Sequence, residues 1–312
     1  MEDFKNKIAV VTGGGTGMGR ELVLQLANDG CHVSMCDIIE ENMQETFDMV
    51  TKQFPDVKIT KHVCDVSNEE DVIRFRDEVL TQQQTDHVNL LFNNAGIGGG
   101  GSFIHSSREE WERCFAVCWY GVYYCSRAFM PYIIASDEAH LINTSSINGF
   151  WASLGGTPHT SYSAAKFAVK GFSEALIDDF RVNAPHVGVS VVMPGHIGTS
   201  IAINTGKILE IERSDEEIET SKQNMIKMGL PVHNFSLDQI REAMKENAEA
   251  FAKNAPTSSA EASKIILDAV KEKKWRILVG DDAKALDQYV RNDPEEAYNI
   301  SFHGERRGEN IL

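Results

Sequence analysis

The sequence predicts an α/β fold: a Rossmann-like, doubly wound, mostly parallel sheet of about seven strands with helices on both faces. Short apolar runs alternate with segments of helical periodicity over roughly the first 200 residues. A glycine-rich turn joins the first apolar run to the first helical segment, and a last apolar run at 275–280 resumes the pattern late in the chain. Strands that alternate with helices build right-handed βαβ units, and these form a parallel sheet covered on both faces.

The elements follow in order along the chain. Apolar runs predict strands at 7–12, 32–37, 58–66, 88–96, 140–146 and 187–195. Helical periodicity predicts helices at 17–30, 40–54, 68–80, 108–133 and 162–180. Gly30 is expected to end the first helix, since glycine adopts the left-handed conformation of helix ends, and Pro55 closes the second.

The pattern changes near residue 200. Residues 200–256 are polar, acidic and helix-prone, after which a helix is predicted at 258–274 and a strand at 275–280. We therefore predict one domain over 1–312, with 200–256 as a helical insertion that acts as a substrate-binding lid. Deleting most of this insertion is expected to damage turnover more than cofactor binding. The tail at 293–312 has no clear period and is expected to be frayed or to pack on a neighbouring subunit.

Composition limits the function classes. The formal charge is −16, which disfavours nucleic acid and anionic membrane surfaces as partners. No run reaches the roughly 20 apolar residues of a membrane span, and the N-terminal residues do not resemble a signal peptide. The six cysteines form no CxxC pair, so we expect reduced thiols, no metal site and a cytoplasmic protein.

The turn "TGGGTGMG" at 12–19 is a candidate phosphate-binding site. It lies between a strand and a helix, where glycines permit close approach and the helix N-terminus favours a pyrophosphate. Asp37 ends the second strand, where a carboxylate accepts hydrogen bonds from ribose hydroxyls and repels a 2′-phosphate. Because Ile38 and Ile39 follow, with no Arg or Lys beside Asp37, we expect NAD(H) rather than NADP(H). The alternative is a strand-end carboxylate in solvent.

Tyr162 and Lys166 lie four positions apart in a predicted helix, so both side chains share one face. A tyrosine pKa of about 10 must fall by roughly 3 units for the phenol to act as a base near neutrality, and a neighbouring ammonium favours the phenolate. Ser145 and Ser146, at the carboxyl end of the fifth strand, are candidates to hold a substrate oxygen. The alternative is an ordinary Tyr–Lys neighbour pair on an amphipathic helix.

The segments "TGGGTGMG", "CDV", "NNAG", "SS", "YSAAK" and "PGHIGT" occur in the order and at nearly the spacing of the short-chain dehydrogenases/reductases, and the chain resembles that family over about residues 5–200. The resemblance implies that Tyr162 is the acid/base, that Lys166 lowers its pKa and binds the nicotinamide ribose, and that Ser146 rather than Ser145 orients the substrate. It also implies a set of cofactor contacts: Gly13, Gly15, Thr16, Gly17, Met18, Gly19, Asp37, Asp65, Val66, Asn93, Ala95, Gly96, Tyr162, Lys166, Pro194, Gly195, Ile197 and Thr199.

One position departs from the family pattern. The run "AVCWYGV" places Cys118 where the family has an asparagine that helps to hold a water linking the lysine to solvent. A thiol is a weaker donor and acceptor than an amide. The proton relay is then expected to use a backbone carbonyl and water alone or to be slower, unless Cys118 is simply a buried small residue, the reading we favour.

The expected function is that of an NAD-dependent short-chain alcohol dehydrogenase or carbonyl reductase, assembled as a homodimer or homotetramer. Apolar residues near the site indicate an apolar or aromatic substrate, if they do not pack on one another: Phe150, Trp151, Leu154, Ile201, Ile203, Ile208, Leu209, Met225 and Met228. His159 and His196 flank the site, as substrate contacts or as structural residues. Alternatives are an epimerase or dehydratase that recycles its bound cofactor, and a regulatory dinucleotide-binding protein.

Overall fold

The computed structural model describes residues 1–99, 101–153, 158–208, 215–227 and 231–299, with two short strands at 305–306 and 309–310. Leu154, Leu209 and Met228, which the sequence suggests as substrate contacts, lie outside the described residues. No described helix is both long enough and apolar enough to cross a membrane.

One seven-stranded sheet organises the molecule, and every strand pair in it is parallel, which confirms the predicted fold class. The strands are β1 (Ile8–Thr12), β2 (His32–Asp37), β3 (Ile59–Val63), β4 (Leu90–Asn93), β5 (Ala139–Thr144), β6 (Val187–Pro194), β7 (Ile197–Gly198), β8 (Thr257–Ser258), β9 (Arg276–Val279), β10 (Glu305–Arg306) and β11 (Glu309–Asn310). The strand order in the sheet is β3-β2-β1-β4-β5-β6-β9. Successive strands are added on one side of β1 up to β3 and on its other side from β4 onwards, so the order of strand addition reverses between β1 and β4. Open α/β sheets bind ligands at such a switch point, beyond the carboxyl ends of the strands.

Helices cover both faces of the sheet. They are α1 (Gly17–Asn28), α2 (Glu40–Gln53), α3 (Glu69–Gln83), α4 (Arg108–Phe115), α5 (Gly121–Ile134), α6 (Thr160–Asn183), α7 (Ile201–Ile208), α8 (Asp215–Lys227), α9 (Leu237–Lys253), α10 (Ser259–Lys271) and α11 (Asp281–Asn292). Side chains mark several starts: Asn68 accepts from the first-turn amides of α3, and Ser236 forms a reciprocal capping box with Gln239 at α9. The sequence analysis did not predict α11.

Successive residues of β1 face opposite layers of the core, as the strand period of two requires. Val11 packs with residues of α1, α2 and α10, whereas Val10 packs with residues of α3, α5 and α6. Both valines are fully buried. This double burial explains why the strand sequences are continuous apolar runs rather than alternating patterns.

The long helix predicted over 108–133 is interrupted. Residues 116–120 form a π-helical turn between α4 and α5. Such insertions are rare and often lie at functional sites, since they redirect the side chains of one helical turn. The turn contains Cys118, the residue that departs from the family pattern.

The insertion packs as helices above the sheet. Ile218 of α8 and Ile240 of α9 form a small cluster with Val232, separate from the main core, and Met225 packs against it. The two ends of the insertion are joined by β7, just before it, and β8, just after it, which pair as a separate two-stranded sheet. The beginning of the tail packs on its own chain, because Ala297 is buried against Trp151.

Candidate active site

The glycine turn after β1 has the conformation of an anion cradle. Gly13 and Gly17 have φ of +67° and +57°, and a Cβ on Gly13 would lie 2.9 Å from the Ala95 Cα. The first turn of α1 carries no acidic residue, and Thr16, its N-cap, makes no capping side-chain bond. The amides and positive dipole end of α1 are therefore directed at the groove without a competing carboxylate.

Thr12 holds the segment after β4 against this turn. Its hydroxyl oxygen accepts hydrogen bonds from the amides of Asn94 and Ala95, each at 3.0 Å. The Asn94 side chain in turn donates to the Thr12 carbonyl at 3.1 Å. These bonds join the "TG" and "NNAG" motifs at the switch point of the sheet.

Asp37 closes the groove on the β2 side. Its carboxylate accepts from the Gly15 amide and the Ile39 amide, both at 3.0 Å. Burial raises the pKa of Asp37, and these amides act in the opposite direction, as does the charge of Arg20. Arg20 is distant from Asp37 in the sequence, but α1 brings its charge near the Asp37 carboxylate, a neighbour that the sequence analysis did not identify. Arg20 is already bonded to the Gly15 carbonyl and to Glu45 at 2.6 Å.

Asp65 and Val66 form the wall of the groove beyond β3. The Asp65 carboxylate accepts from the Ser67 hydroxyl at 2.7 Å and from Arg113 at 2.8 Å. Burial raises the pKa of Asp65, but the Ser67 and Arg113 contacts outweigh it and hold that pKa below the ordinary value. Arg113, which sequence reasoning missed, also lines the groove. No local motif marks it, since it reaches Asp65 across 48 residues.

The resulting groove has a volume of about 140 Å³. Eleven of the predicted cofactor contacts line it: Gly13, Thr16, Gly17, Met18, Gly19, Asp37, Asp65, Val66, Ala95, Gly96 and Thr199. Two of the predicted contacts do not line the groove. Gly15 directs its amide at Asp37 instead of the groove. Asn93 is buried inside the sheet, where its amide donates to Asn143 and Ser126 at 2.8 and 2.9 Å. Strand alternation gives the groove position to Asn94 instead.

Ser146, Tyr162 and Lys166 line one cavity of about 420 Å³, which adjoins the groove. Met18, Asn94, Gly96, Thr199 and Ile201 line both spaces. The Lys166 ammonium is buried, donates to the Thr144 carbonyl at 2.9 Å and lies 5.3 Å from the centre of the Tyr162 ring. The three side chains predicted to be catalytic therefore meet beside the glycine turn, at the carboxyl edge of the sheet.

The two serines have different tasks. The Ser145 hydroxyl donates to the Lys166 carbonyl at 2.7 Å, which ties β5 to the backbone of α6. The Ser146 oxygen accepts from the Asn148 amide at 3.1 Å and begins the 3₁₀ turn over Ile147–Gly149. The Ser146 hydroxyl also hydrogen-bonds to Tyr162, so the two side chains meet at the cavity.

Gly149 is a positioning residue that the sequence analysis did not single out. A Cβ there would lie 2.2 Å from the Ser145 hydroxyl oxygen and 2.8 Å from the Lys166 carbonyl oxygen. The absence of a side chain lets the turn that carries Ser146 lie directly on α6. Gly149 follows Ser146 by three residues, and this spacing was the available signal for the contact.

The expected direction of the Tyr162 shift was wrong. Burial raises the pKa of Tyr162, whereas the Ser146 hydroxyl acts in the opposite direction. The protein by itself thus favours the neutral phenol, the form that donates a proton. Spacing shows that Lys166 is near Tyr162, but it does not show how strongly the phenol is desolvated.

The segment after β6 forms the far wall of the cavity. Pro194, Gly195 and Ile197 line the cavity, and Thr199 packs against Gly17 of the phosphate turn. Asp282, in the first turn of α11, accepts from the His196 amide at 2.7 Å and fixes this segment. Sequence reasoning missed this contact because it did not foresee α11.

Helix α7 forms part of the wall of both the groove and the cavity. The Thr205 hydroxyl accepts from the Gly98 amide at 2.8 Å, and the Asn204 side chain donates to Thr16 at 3.1 Å. Residues of α7 line the groove as well as the cavity, and Phe251 of α9 completes the cavity wall. The insertion therefore contributes residues to the walls of both the groove and the cavity.

Phe150 and Trp151 do not line the cavity. Phe150 and Trp151 pack against α11, and the Trp151 indole donates to the Ala297 carbonyl at 2.6 Å. Among the apolar residues of the insertion, Ile201 lines the cavity, Ile208 lines only the groove, and Ile203 is exposed. For Phe150 and Trp151, mutual packing was the correct alternative.

The two histidines differ. The His196 ring is bonded to the Phe251 carbonyl at 2.8 Å and is structural. The His159 ring lines the cavity and packs on the Tyr162 ring, with centroids 4.6 Å apart. Burial lowers the pKa of His159 to about 4, so the ring is neutral near pH 7.

Cys118 is fully buried, and its thiol donates to the Ile97 carbonyl at 3.2 Å. Cys114, one turn earlier, packs in the same cluster. Cys118 thus secures the backbone next to Gly96, within the glycine-rich segment that lines the cavity. Its immediate role is structural, as favoured from the sequence.

Comparisons with known proteins agree with this geometry. A family model described as short chain dehydrogenase matches residues 7–209. The Mycobacterium tuberculosis protein SadH, whose name classes it with the oxidoreductases, is 31% identical over 93% of this chain and 92% of its own length. Human epidermal retinol dehydrogenase 2 is 33% identical over 64% of this chain and 63% of its own length. A short chain dehydrogenase/reductase from Burkholderia phymatum, solved in complex with NAD, superposes with a TM-score of 0.77 at 25% identity, covering 96% of this chain and 98% of the other.

Proposed function

The chain belongs to the short chain dehydrogenase family, and we propose that it is an NAD(H)-dependent oxidoreductase that interconverts an alcohol, secondary or primary, and the corresponding ketone or aldehyde. One observation carries the proposal: Ser146, Tyr162 and Lys166 meet in a cavity that adjoins the glycine-turn groove. A regulatory dinucleotide-binding protein has no need of this convergence.

The groove fits a nicotinamide dinucleotide. The φ of Gly13 and its 2.9 Å approach to Ala95 leave no room for a side chain where a pyrophosphate would lie, and the α1 N-terminus supplies free amides. Membership of the family and the Burkholderia relative bound to NAD support this class of cofactor. Asp37 supports NAD rather than NADP, because its carboxylate would repel a 2′-phosphate. When bound, the nicotinamide supplies the hydride donor or acceptor.

Tyr162 holds the proton that is exchanged with the substrate oxygen. In the reducing direction the neutral phenol, which burial favours, donates its proton to the carbonyl oxygen. Ser146 donates a second hydrogen bond and stabilises the charge that develops there. In the oxidising direction the phenol must lose its proton first, and the Lys166 ammonium beside the ring stabilises the resulting phenolate. The Thr144 carbonyl holds Lys166 in place for this role.

The substrate is proposed to be a mainly apolar small molecule. The cavity of about 420 Å³ lies within the usual range for ligand pockets, and Ile147, Ile197, Ile201 and Phe251 contribute to its wall. The relative named retinol dehydrogenase supports an apolar alcohol as the substrate class. The insertion, through α7 and α9, is proposed to act as the lid that excludes water.

We also propose a homodimer or homotetramer. Tyr120 and Tyr123, at the junction of α4 and α5, and Phe167 of α6 expose 41%, 39% and 41% of their surface. Aromatic residues on long helices are suitable for association between copies. Light scattering at micromolar concentration should give two or four copies, and a monomer would contradict this part of the proposal.

The experiment is a screen of secondary alcohols and ketones with NAD(H) and NADP(H) in parallel, followed by absorbance of the reduced cofactor. Steady consumption of NADH with an apolar ketone, at a higher kcat/KM than with NADPH, is the expected result. Product formation without net change of cofactor would favour an epimerase or dehydratase. Binding of NADH with no turnover across the panel would favour a regulatory role.

A further inference from the structure

The substrate cavity carries a polar side chain that the proton-transfer chemistry does not use. His159 lies just before α6 and stacks on the ring of Tyr162, with centroids 4.6 Å apart and planes inclined by 36°. It lines the same cavity as Ser146 and Tyr162. Among the described residues, no side chain or backbone group forms a hydrogen bond to its ring.

Other polar side chains around the cavity are engaged within the protein. His196 is bonded to the Phe251 carbonyl at 2.8 Å, and the Asn148 amide donates to the carbonyls of Trp151 and Ser153 at 3.0 and 2.9 Å. Thr205 accepts from Gly98. His159 therefore stands out as a partly buried donor and acceptor directed at the place where a substrate binds.

We infer that His159 selects substrates with a second, uncharged oxygen function near the reacting carbon, such as a hydroxyketone or a diol. The inference rests on the proposed function, which places the reacting oxygen at Tyr162. A neutral imidazole offers one N–H and one lone pair, which match a hydroxyl or a second carbonyl. Since the imidazole packs on the phenol ring, its nitrogens and the phenol oxygen are close enough for one small molecule to meet both.

The test compares 2-hydroxycyclohexanone with cyclohexanone, which lacks the second oxygen. The wild-type enzyme should prefer the hydroxyketone in kcat/KM by about tenfold or more, because a partly buried polar group left without a partner is costly. His159→Phe keeps the aromatic stacking but removes both nitrogens, so the preference should disappear. His159→Gln, which retains a donor and an acceptor, should keep part of it.

His196→Gln is the matched control, since His196 lines the same cavity but its ring is bonded within the protein. It should leave the ratio of the two kcat/KM values unchanged even if both values fall. Equal preference in the wild type, or an equal loss with both ketones in His159→Phe, would overturn the inference.

A binding measurement separates this inference from the proposed function. Tyr162→Phe cannot carry out the proton transfer, so calorimetry with its NADH complex reports affinity alone. The hydroxyketone should bind about tenfold more tightly than cyclohexanone, and adding His159→Phe should remove the difference. Equal affinities, or no binding of either ketone, would overturn the role of His159. A difference in affinity without turnover in the wild type would instead contradict the proposed redox reaction.

Discussion

Gly149→Ala tests whether the turn that carries Ser146 must lie directly on α6. The added Cβ would lie 2.2 Å from the Ser145 hydroxyl oxygen and 2.8 Å from the Lys166 carbonyl oxygen, where ordinary contacts begin at 3.4 Å. Ser145 could rotate away, but it would lose its bond to that same carbonyl, at a cost of about 1–3 kcal/mol. The carbonyl belongs to the interior of α6 and cannot move separately. The turn must therefore shift by about half an ångström or more, and Ser146 with it.

Displacements of this size cost up to about 100-fold in rate when they misplace a reacting group. We expect kcat/KM for a ketone to fall by roughly 10- to 100-fold, while NADH affinity, measured by fluorescence titration, changes little because the groove is lined by other segments. Urea unfolding should show destabilisation of about 1–3 kcal/mol.

Gly171→Ala is the matched control. Gly171 lies in the same helix, α6, and a Cβ there meets nothing within 4 Å. Alanine should stabilise the protein by about 0.5–1 kcal/mol and leave activity unchanged. If Gly149→Ala retained activity within about threefold of the wild type, the argument that this contact positions Ser146 would be refuted.

Three further predictions follow from other parts of the site. Asp37→Asn removes the carboxylate from the groove, so the ratio of the NADP and NAD dissociation constants, measured by titration, should fall by about tenfold or more; an unchanged ratio would show that Asp37 does not select the cofactor. Thr205→Val removes the acceptor of the Gly98 amide and should raise KM for the ketone by about 3- to 10-fold without changing NADH affinity. An equal loss of NADH affinity would show that this contact supports cofactor binding as much as substrate binding. Burial lowers the pKa of His140 to about 4, below the value of about 6.5 in an unfolded chain. The unfolded chain therefore binds a proton more readily than the folded protein between these pH values. The free energy of unfolding should be unaffected by His140 above pH 6.5 and should decrease by up to about 3 kcal/mol as the pH falls towards 4. Urea unfolding of His140→Gln should show a shallower fall over this range, and an identical slope would contradict the assignment.

The fold and the catalytic side chains could be predicted because their signals are local in sequence. The strands are buried on both faces and read as apolar runs, and Tyr162 and Lys166 share a face at helical spacing. Contacts between residues that are far apart in the sequence could not be predicted in the same way. Arg113 meets Asp65 across 48 residues, and Asp282 reaches the His196 amide across 86.

The direction in which a side chain points was the second feature that could not be predicted from the sequence. The "NNAG" motif is visible in the sequence, but only the direction of the strand end shows that Asn94 faces the groove and that Asn93 is buried. Phe150 and Trp151 are large and apolar, as a substrate contact would be, yet they pack on α11. The Tyr162 shift had the wrong sign because desolvation depends on the whole surrounding structure and not on one neighbouring charge.

The central claim is that the Tyr162 phenol exchanges a proton with a substrate bound beside a nicotinamide dinucleotide. Tyr162→Phe keeps the ring and its packing but removes the hydroxyl, so the most direct measurement pairs ketone turnover with NADH fluorescence titration in this variant. Turnover should fall by at least about 100-fold while the NADH dissociation constant stays within about threefold of the wild type. Turnover close to that of the wild type, with NADH bound normally, would show that the proton comes from elsewhere and would contradict the account.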